Sequence, residues 1–297
     1  MIKLLLYSNL FTLLFIIFQY YRNKHINNKI DKYIDYKLPL LKDNDYQKIN
    51  GISNILWINL DRSIERKMKL LEILDKVQVE NTRIKAIDGK KENVFNYIID
   101  DNNLIDFNTK KLSNGEIACC LSHIKAISYI KYIIENSNEI NINSDYVLIL
   151  EDDIKVDYLS IIKKDIKQII KECPYNFDIL MLYSTTNLNL TEDYTNIKDK
   201  PVGGACSYII KKDRINKLLD IMYYDFDLNK FIINRKIKLQ HADYLIFHCF
   251  NTYVYKYNFF STCDNESTLH QKYLKDFKKS NHRNKKMIIK DLIYNEK

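Results

Sequence analysis

The run Tyr146-Val147-Leu148-Ile149-Leu150-Glu151-Asp152-Asp153 constrains this chain more than any other stretch. Its first five residues are apolar or aromatic and read as a strand buried on both faces. The three carboxylates then fall at or just past the carboxyl end of that strand, the edge of an open α/β sheet where ligands bind. Three adjacent like charges repel one another unless a cation neutralises them. Hard oxygen ligands suit Mg2+ or Mn2+, ions that commonly carry substrate phosphates. A metal–diphosphate site on an α/β sheet is therefore the first expectation; a solvated acidic turn is the competing one.

The flanking pattern extends that sheet. Ile55-Leu56-Trp57-Ile58-Asn59 is a second buried-strand pattern. Asp61 or Ser63 can cap the helix after it, whose Ile64, Met68, Leu71 and Leu74 share one face. Thr82 to Ile87 alternates like a strand and ends at the Asp88-Gly89 turn. Together these make a β-α-β unit with a right-handed crossover. Residues 90–112 are loop-rich. Ser113 and Glu116 make a capping box that opens a helix with Ile117, Leu121, Ile124 and Ile127 on one face. The pattern beyond the acidic run predicts a helix from about Leu159 to Glu172 and strands over 178–183 and 205–210. A polar loop over 185–202, a helix over 214–222, a helical segment over 241–250 and a strand over 252–257 complete it.

The formal net charge of +8 sits at the two ends. Residues 1–54 carry +4 and 268–297 carry +6, which leaves −2 for 55–267. A nucleic-acid binder needs a basic face on its core, so nucleic acid is excluded as the expected partner. Ile2 to Tyr21 is almost wholly apolar and about 20 residues long, the length of a bilayer span. Phe18, Tyr20 and Tyr21 fit an interfacial belt, and no small-x-small cleavage site follows, which favours an uncleaved anchor over a signal peptide. The basic flank Arg22, Lys24, Lys29, Lys32 and Lys37 places the rest of the chain on the cytoplasmic side. The six cysteines show no zinc spacing; Cys119 and Cys120 fall in an apolar helical pattern and read as core packing. Asn189-Leu190-Thr191 and Asn265-Glu266-Ser267 match the glycosylation pattern, but a chain this rich in Asn should show such matches by chance. The basic C-terminal segment reads as a solvated helix or frayed tail, with attraction to an anionic membrane surface as the functional alternative.

Five motifs, taken in order, resemble one family. Ile58-Asn59-Leu60-Asp61-Arg62 with Arg66 is similar to its opening strand and turn, and Arg83 to Gly89 to its second strand. Gly115-Glu116-Ile117-Ala118-Cys119-Cys120-Leu121-Ser122-His123 is close to its most characteristic stretch. Leu150 to Asp153 resembles its acidic motif, and Gly203-Gly204, Tyr208 and Asp243 its later landmarks. The family is glycosyltransferase family 25, which includes lipooligosaccharide (lipopolysaccharide biosynthesis) and procollagen galactosyltransferases. Ala118 stands where the family often has Gly, and the segment after Asp243 diverges.

The resemblance implies a GT-A-like α/β fold, a mostly parallel sheet flanked by helices, preceded here by the transmembrane helix. With the hydropathy and charge pattern, the chain divides into an anchor (1–21), a stem (22–54), a transferase domain (55–267) and a basic tail (268–297). The resemblance implies an inverting hexosyltransferase that uses Mn2+ or Mg2+ and moves galactose from UDP-galactose to a hydroxyl of a glycan or of hydroxylysine. It also brings in the secretory lumen, where many eukaryotic members work, so the membrane side stays open. The alternatives are a tethered sugar-nucleotide binder without turnover and a metal-dependent phospho- or nucleotidyltransferase. The latter would want a basic groove or a phosphate-cradling Gly-rich loop, and neither is evident.

The site expected on this basis has Asp153 as the leading metal ligand, helped by Glu151 and Asp152. Asn59, Asp61, Arg62, Arg66, Asp88, Glu116, His123, Gly203 and Gly204 bind the donor, and Asp243 is the general base. Each has a plainer reading: a helix cap for Asp61, a solvent-facing helix start for the arginines, turn chemistry for Asp88. For Glu116 it is the box partner of Ser113, for His123 a core histidine, and for the glycines a tight turn.

Overall fold

The computed structural model describes residues 12–22, 24, 38–107, 112–136, 145–186, 192–198, 200–262 and 274–295. Residues 1–11 of the expected anchor, 25–37 of the expected stem, both glycosylation patterns and the start of the basic tail lie outside the described residues.

Seven strands form the central sheet: β1 (Asn54–Asn59), β2 (Glu80–Lys85), β5 (Tyr146–Glu151), β7 (Ile179–Met181), β8 (Tyr194–Asn196), β9 (Ser207–Lys211) and β13 (Thr252–Tyr255). Their order is β2-β1-β5-β9-β7-β13-β8. Short strands β3 (Ile98–Ile99), β4 (Ile105–Phe107), β6 (Ile154–Lys155), β10 (Met222–Asp225), β11 (Lys230–Ile233), β12 (Ile237–Leu239) and β14 (Ser261–Thr262) make three small sheets around it. The helices are α1 (12–22), α2 (Asp43–Tyr46), α3 (Ile64–Leu74), α4 (Asn114–Asn136), α5 (Ile166–Glu172), α6 (Asn216–Leu219), α7 (Ala242–Cys249) and α8 (Leu274–Asn295).

The apolar run does what its composition predicts. Val147 and Ile149 join the core on one face of the sheet, and Leu148 and Leu150 join the core on the other. Leu56 and Ile58 alternate with Ile55 and Trp57 in the same way. Successive side chains of a strand point to opposite faces, so a strand covered on both sides must be apolar throughout. Helix α4 and helix α7 cover one face; α3, α5 and α8 cover the other. Each fully buried aliphatic side chain contributes about 1.5–3 kcal/mol.

The fold fits the GT-A-like architecture that the resemblance implies, with corrections. The sheet is mixed rather than mostly parallel: β1 runs parallel to β2 and β5, and β13 to β7, while β9 is antiparallel to both β5 and β7 and β8 is antiparallel to β13. A parallel return needs a crossover, usually a helix. The described part of 182–206 contains no helix, so the chain comes back beside β7 in the opposite direction. Helix α5 starts at Ile166, not near Leu159, because Asp165 caps it with a full capping box to Gln168. The helix expected over 214–222 shrinks to a single turn, α6, and Met222 opens β10 instead. The loop-rich 90–112 holds a 3-10 turn at Val94–Tyr97 as well as β3 and β4.

Both ends are more integrated than the charge pattern suggested. Tyr46, Ile49 and Ile52, within the expected stem, are buried in the core, and Lys48 Nζ donates to the Leu159 carbonyl 2.5 Å away. The expected tail is α8, which buries Ile288 and Ile289. It is pinned by Ser280 Oγ to the Ser184 carbonyl at 2.7 Å and by an Asn284–Asn258 pair with bonds of 2.7 and 3.0 Å. Of the expected anchor, α1 presents exposed Leu13, Phe15 and Phe18. Among the described residues the one helix long and apolar enough to span a bilayer is α4, which is mostly buried in the core.

Candidate active site

The carboxyl ends of β1 and β5 open into a cleft of about 610 Å³. One wall is the strand edge itself. Glu151 ends β5, and Asp152 and Asp153 follow in a turn rather than as an extended chain. All three line the cleft.

The three carboxylates have different partners. Asp152 is fully engaged: Oδ1 accepts from Arg66 Nη1 at 3.1 Å and Oδ2 from Asn59 Nδ2 at 2.7 Å. Asp152 was expected in the metal set; the structure turns both of its oxygens onto protein donors. Glu151 Oε1 lies 3.0 Å from His123 Nε2 and 3.8 Å from Cys119 Sγ. Asp153 Oδ2 is 3.6 Å from Arg66 Nη1, an ion-pair distance only, and its Oδ1 is buried without a hydrogen-bond partner. Burial, then the Glu151 charge, pushes the Asp153 carboxyl up to about 7 against the pull of Arg66. Burial also raises Asp152, with Arg66 and Asn59 opposing it. On Glu151 burial is outweighed by His123, leaving its carboxyl below the usual value. An orphaned buried carboxylate oxygen beside a second carboxylate is what a hard divalent cation would satisfy. By this test Glu151 and Asp153 fit such an ion.

The arginines sit at the start of the crossover. Arg66 is buried because α3 turns Arg66, Leu70 and Leu74 inward and leaves Ile64 and Met68 exposed, a rotation from the face read in the sequence. Arg62 Nε pairs with Asp88 Oδ2 at 2.6 Å. Burial works to raise the Asp88 carboxyl, and Arg62 and the Lys90 N–H more than offset it. Arg62, Arg66 and Asp88 all line the cleft.

The structure separates three expected donor contacts from the cleft. Asp61 turns to Arg83 and Lys85, at 2.6 and 2.8 Å, and does not line it. Asn59 lies behind Asp152 and accepts from Arg83 Nε at 2.9 Å. His123 is fully buried between Glu151 and the Tyr208 hydroxyl, 3.1 Å from Nδ1. Glu116 does both jobs foreseen for it: Oε2 accepts from Ser113 N at 2.8 Å, and the side chain lines the cleft, with Oε1 3.6 Å from His241 Nδ1.

The opposite wall comes from distant segments. Asp243, in the first turn of α7, accepts with Oδ1 from Ala205 N at 2.7 Å and Gly204 N at 3.2 Å. Burial raises its carboxyl in spite of those two N–H donors. A Cβ on Gly203 would stand 2.7 Å from Thr185 Oγ1 and 3.7 Å from Asp243 Oδ2. Gly204 adopts φ +118, where an L side chain is strained. These two glycines therefore let the loop close against Asp243.

Several residues of the cleft were not anticipated: Cys119, Thr185, His241, Tyr244 and Phe277. Cys119 faces the cleft while Cys120 packs in the core. Cys119 lies four residues before His123, a same-face helical spacing that was available in the sequence. No local signal marks Phe277, which reaches the cleft from α8.

Comparison with known proteins bears on the family. The family model described as "Glycosyltransferase family 25 (LPS biosynthesis protein)" matches residues 52–228. A "Procollagen lysyl hydroxylase and glycosyltransferase" of Acanthamoeba polyphaga mimivirus is 26% identical over 185 residues, 59% of this chain and 20% of that protein. A "Glycosyltransferase 25 family member" of Aedes aegypti is 31% identical over 119 residues, 36% of this chain and 17% of that protein. One of Anopheles gambiae is 28% identical over 119 residues, again 36% and 17%. The matched stretch spans about a fifth of the length of these relatives.

Proposed function

This chain belongs to glycosyltransferase family 25, and from that premise we infer that it transfers a hexose from a nucleotide diphosphate donor to an acceptor hydroxyl. The observation that carries the reading is the unpartnered Asp153 carboxylate oxygen beside Glu151 in a cleft flanked by Arg62 and Arg66. Such a cleft suits a polyanionic group that arrives with its own counter-ion.

In this reading Arg62 and Arg66 orient the diphosphate. Each guanidinium is fixed by a carboxylate and lines the cleft, where a planar fork of N–H donors suits phosphate oxygens. A divalent cation, Mn2+ or Mg2+, held by Glu151 and Asp153 would stabilise the charge of the departing diphosphate. Asp243 takes the proton of the attacking acceptor hydroxyl; its raised carboxyl is a stronger base than a free one, and the amides of Gly204 and Ala205 fix its orientation. Attack from the face opposite the leaving group inverts the anomeric centre. The donor we propose is UDP-galactose and the acceptor a glycan or hydroxylysine hydroxyl. We also place the apolar N-terminal segment in a membrane, on the support of its composition and the exposed side chains of α1.

The test is release of UDP from a panel of UDP-sugars, with and without Mn2+. Turnover of UDP-galactose that needs Mn2+ and falls about 10²–10³-fold in Asp153→Asn supports the reading. Thermal stabilisation by UDP-sugars without turnover supports the tethered binder instead, and no response to any UDP-sugar overturns both.

A further inference from the structure

Behind the carboxylate edge, α4 and β5 bring a thiol, an imidazole and a carboxylate together. The donor atoms of Cys119, His123 and Glu151 all lie within 4.8 Å of one another. His123 Nε2 is 3.0 Å and Cys119 Sγ 3.8 Å from the same Glu151 oxygen. Around a tetrahedral ion with metal–ligand bonds of about 2.0–2.3 Å, neighbouring ligand atoms stand about 3.3–3.8 Å apart. The two contacts to Glu151 are near that spacing, and the Cys119–His123 separation is within 4.8 Å, before any ion enters.

Two further features fit. The Tyr208 hydroxyl is 3.1 Å from His123 Nδ1 and can accept a proton bond there, which leaves the Nε2 lone pair directed at the cluster. Metal-binding histidines usually have such a partner on the other ring nitrogen. Cys119 and Glu151 line the cleft, so an ion has an entry path and a water can complete the shell. This is not the pair expected to serve a hard cation, since Asp153 takes no part in it.

We propose that Cys119, His123 and Glu151 form a second cation seat, selective for a soft divalent ion such as Zn2+, which shares Glu151 with the Glu151–Asp153 seat. A thiolate and an imidazole favour Zn2+ over Mn2+ or Mg2+. On binding, the Cys119 thiol releases its proton to solvent. The imidazole proton moves from Nε2 to Nδ1, where it is donated to Tyr208. Glu151 turns from His123 to the ion. If the transferase reading holds, Zn2+ at this seat removes Glu151 from the Mn2+ seat and slows turnover.

The test uses the full chain and Co2+ alone as a spectroscopic probe. We expect an intense thiolate-to-cobalt charge-transfer band that one equivalent of Zn2+ abolishes. The band should vanish in Cys119→Ser and persist in Cys206→Ser, which removes the other thiol among the described residues that line the cleft. His123→Gln, which keeps a donor toward Glu151, should weaken Zn2+ about tenfold or more, and answers the question if Cys119→Ser fails to fold. No band in the wild-type protein, a band that survives Cys119→Ser, or unchanged Zn2+ affinity in His123→Gln overturns the proposal. None of these readouts depends on sugar transfer, so the seat and the transferase reading fail separately.

Discussion

The two walls of the cleft are built in different ways. The strand-edge wall comes from two short stretches of chain: Glu151, Asp152 and Asp153 at the end of β5, and Arg62 and Arg66 after β1. It is cross-braced by charge, since Arg66 holds Asp152 and Arg62 holds Asp88. The opposite wall gathers Thr185, Gly203, Gly204, Asp243 and Phe277 from the segments on either side of β8 and from two helices. It is held by backbone amides on Asp243 and by the close approach that two glycines permit. The contrast teaches that one wall depends on paired charge and the other on backbone fit. The two should therefore respond differently to substitution.

The largest expected effects are on turnover and separate the two walls by role. Asp243→Asn keeps an acceptor for the Gly204 and Ala205 amides but removes the base, so kcat should fall by about 10²–10⁴ with the melting temperature little changed. A matching loss of stability would instead make Asp243 a structural residue. Arg66→Met tests the charged wall. It leaves Asp152 and Asp153 buried without their cation and should cost about 3–5 kcal/mol at pH 8. The loss should be smaller at pH 5, where the carboxylates can take up protons; urea titrations at the two pH values would show it.

Gly204→Ala tests the backbone-fitted wall. Its Cβ would stand 2.9 Å from the Tyr183 ring at a φ of +118, and we expect a loss of about 1–3 kcal/mol by denaturant titration, with no pH dependence. A pH-dependent loss here would blur the distinction between the walls. Asp153 supplies a gentler probe. The folded, cation-free protein keeps this proton up to about pH 7 and the unfolded chain only to about pH 4. The stabilisation is therefore full below pH 4 and disappears as pH rises through 7, and Asp153→Asn should flatten that slope in a pH series of melting temperatures. The smallest effect belongs to Asp61. Its carboxyl is lowered to about 2, first by Lys85 and then by Arg83, but it is more than half exposed. Asp61→Asn should cost under about 1 kcal/mol, contributed only above pH 4 and lost as pH falls toward 2, and leave turnover unchanged.

The strand-edge wall was largely legible in the sequence, because an apolar run ending in carboxylates states both its burial and its edge. The capping box at Ser113–Glu116 and the apolar face of α4 were legible for the same local reason. The rotation of α3 was not. Its apolar periodicity pointed to Ile64 and Met68, but the carboxylates just past β5 draw Arg66 inward and set the face. Nor was α8, whose many lysines suggested a free tail. Its buried contacts are an Asn–Asn pair, a serine and two isoleucines spread among charges, too sparse to form a pattern.

By itself the sequence determined that a doubly buried strand carries an acidic edge, because hydrophobic burial and side-chain alternation act over a few residues. Only the tertiary structure decided which acid keeps an unpartnered oxygen. Asp152 and Asp153 are neighbours with the same side chain, and what distinguishes them is Asn59 and Arg66, supplied by another strand and its helix. A carboxylate's charge and availability are set by the groups packed around it, and those groups are adjacent in space rather than along the chain.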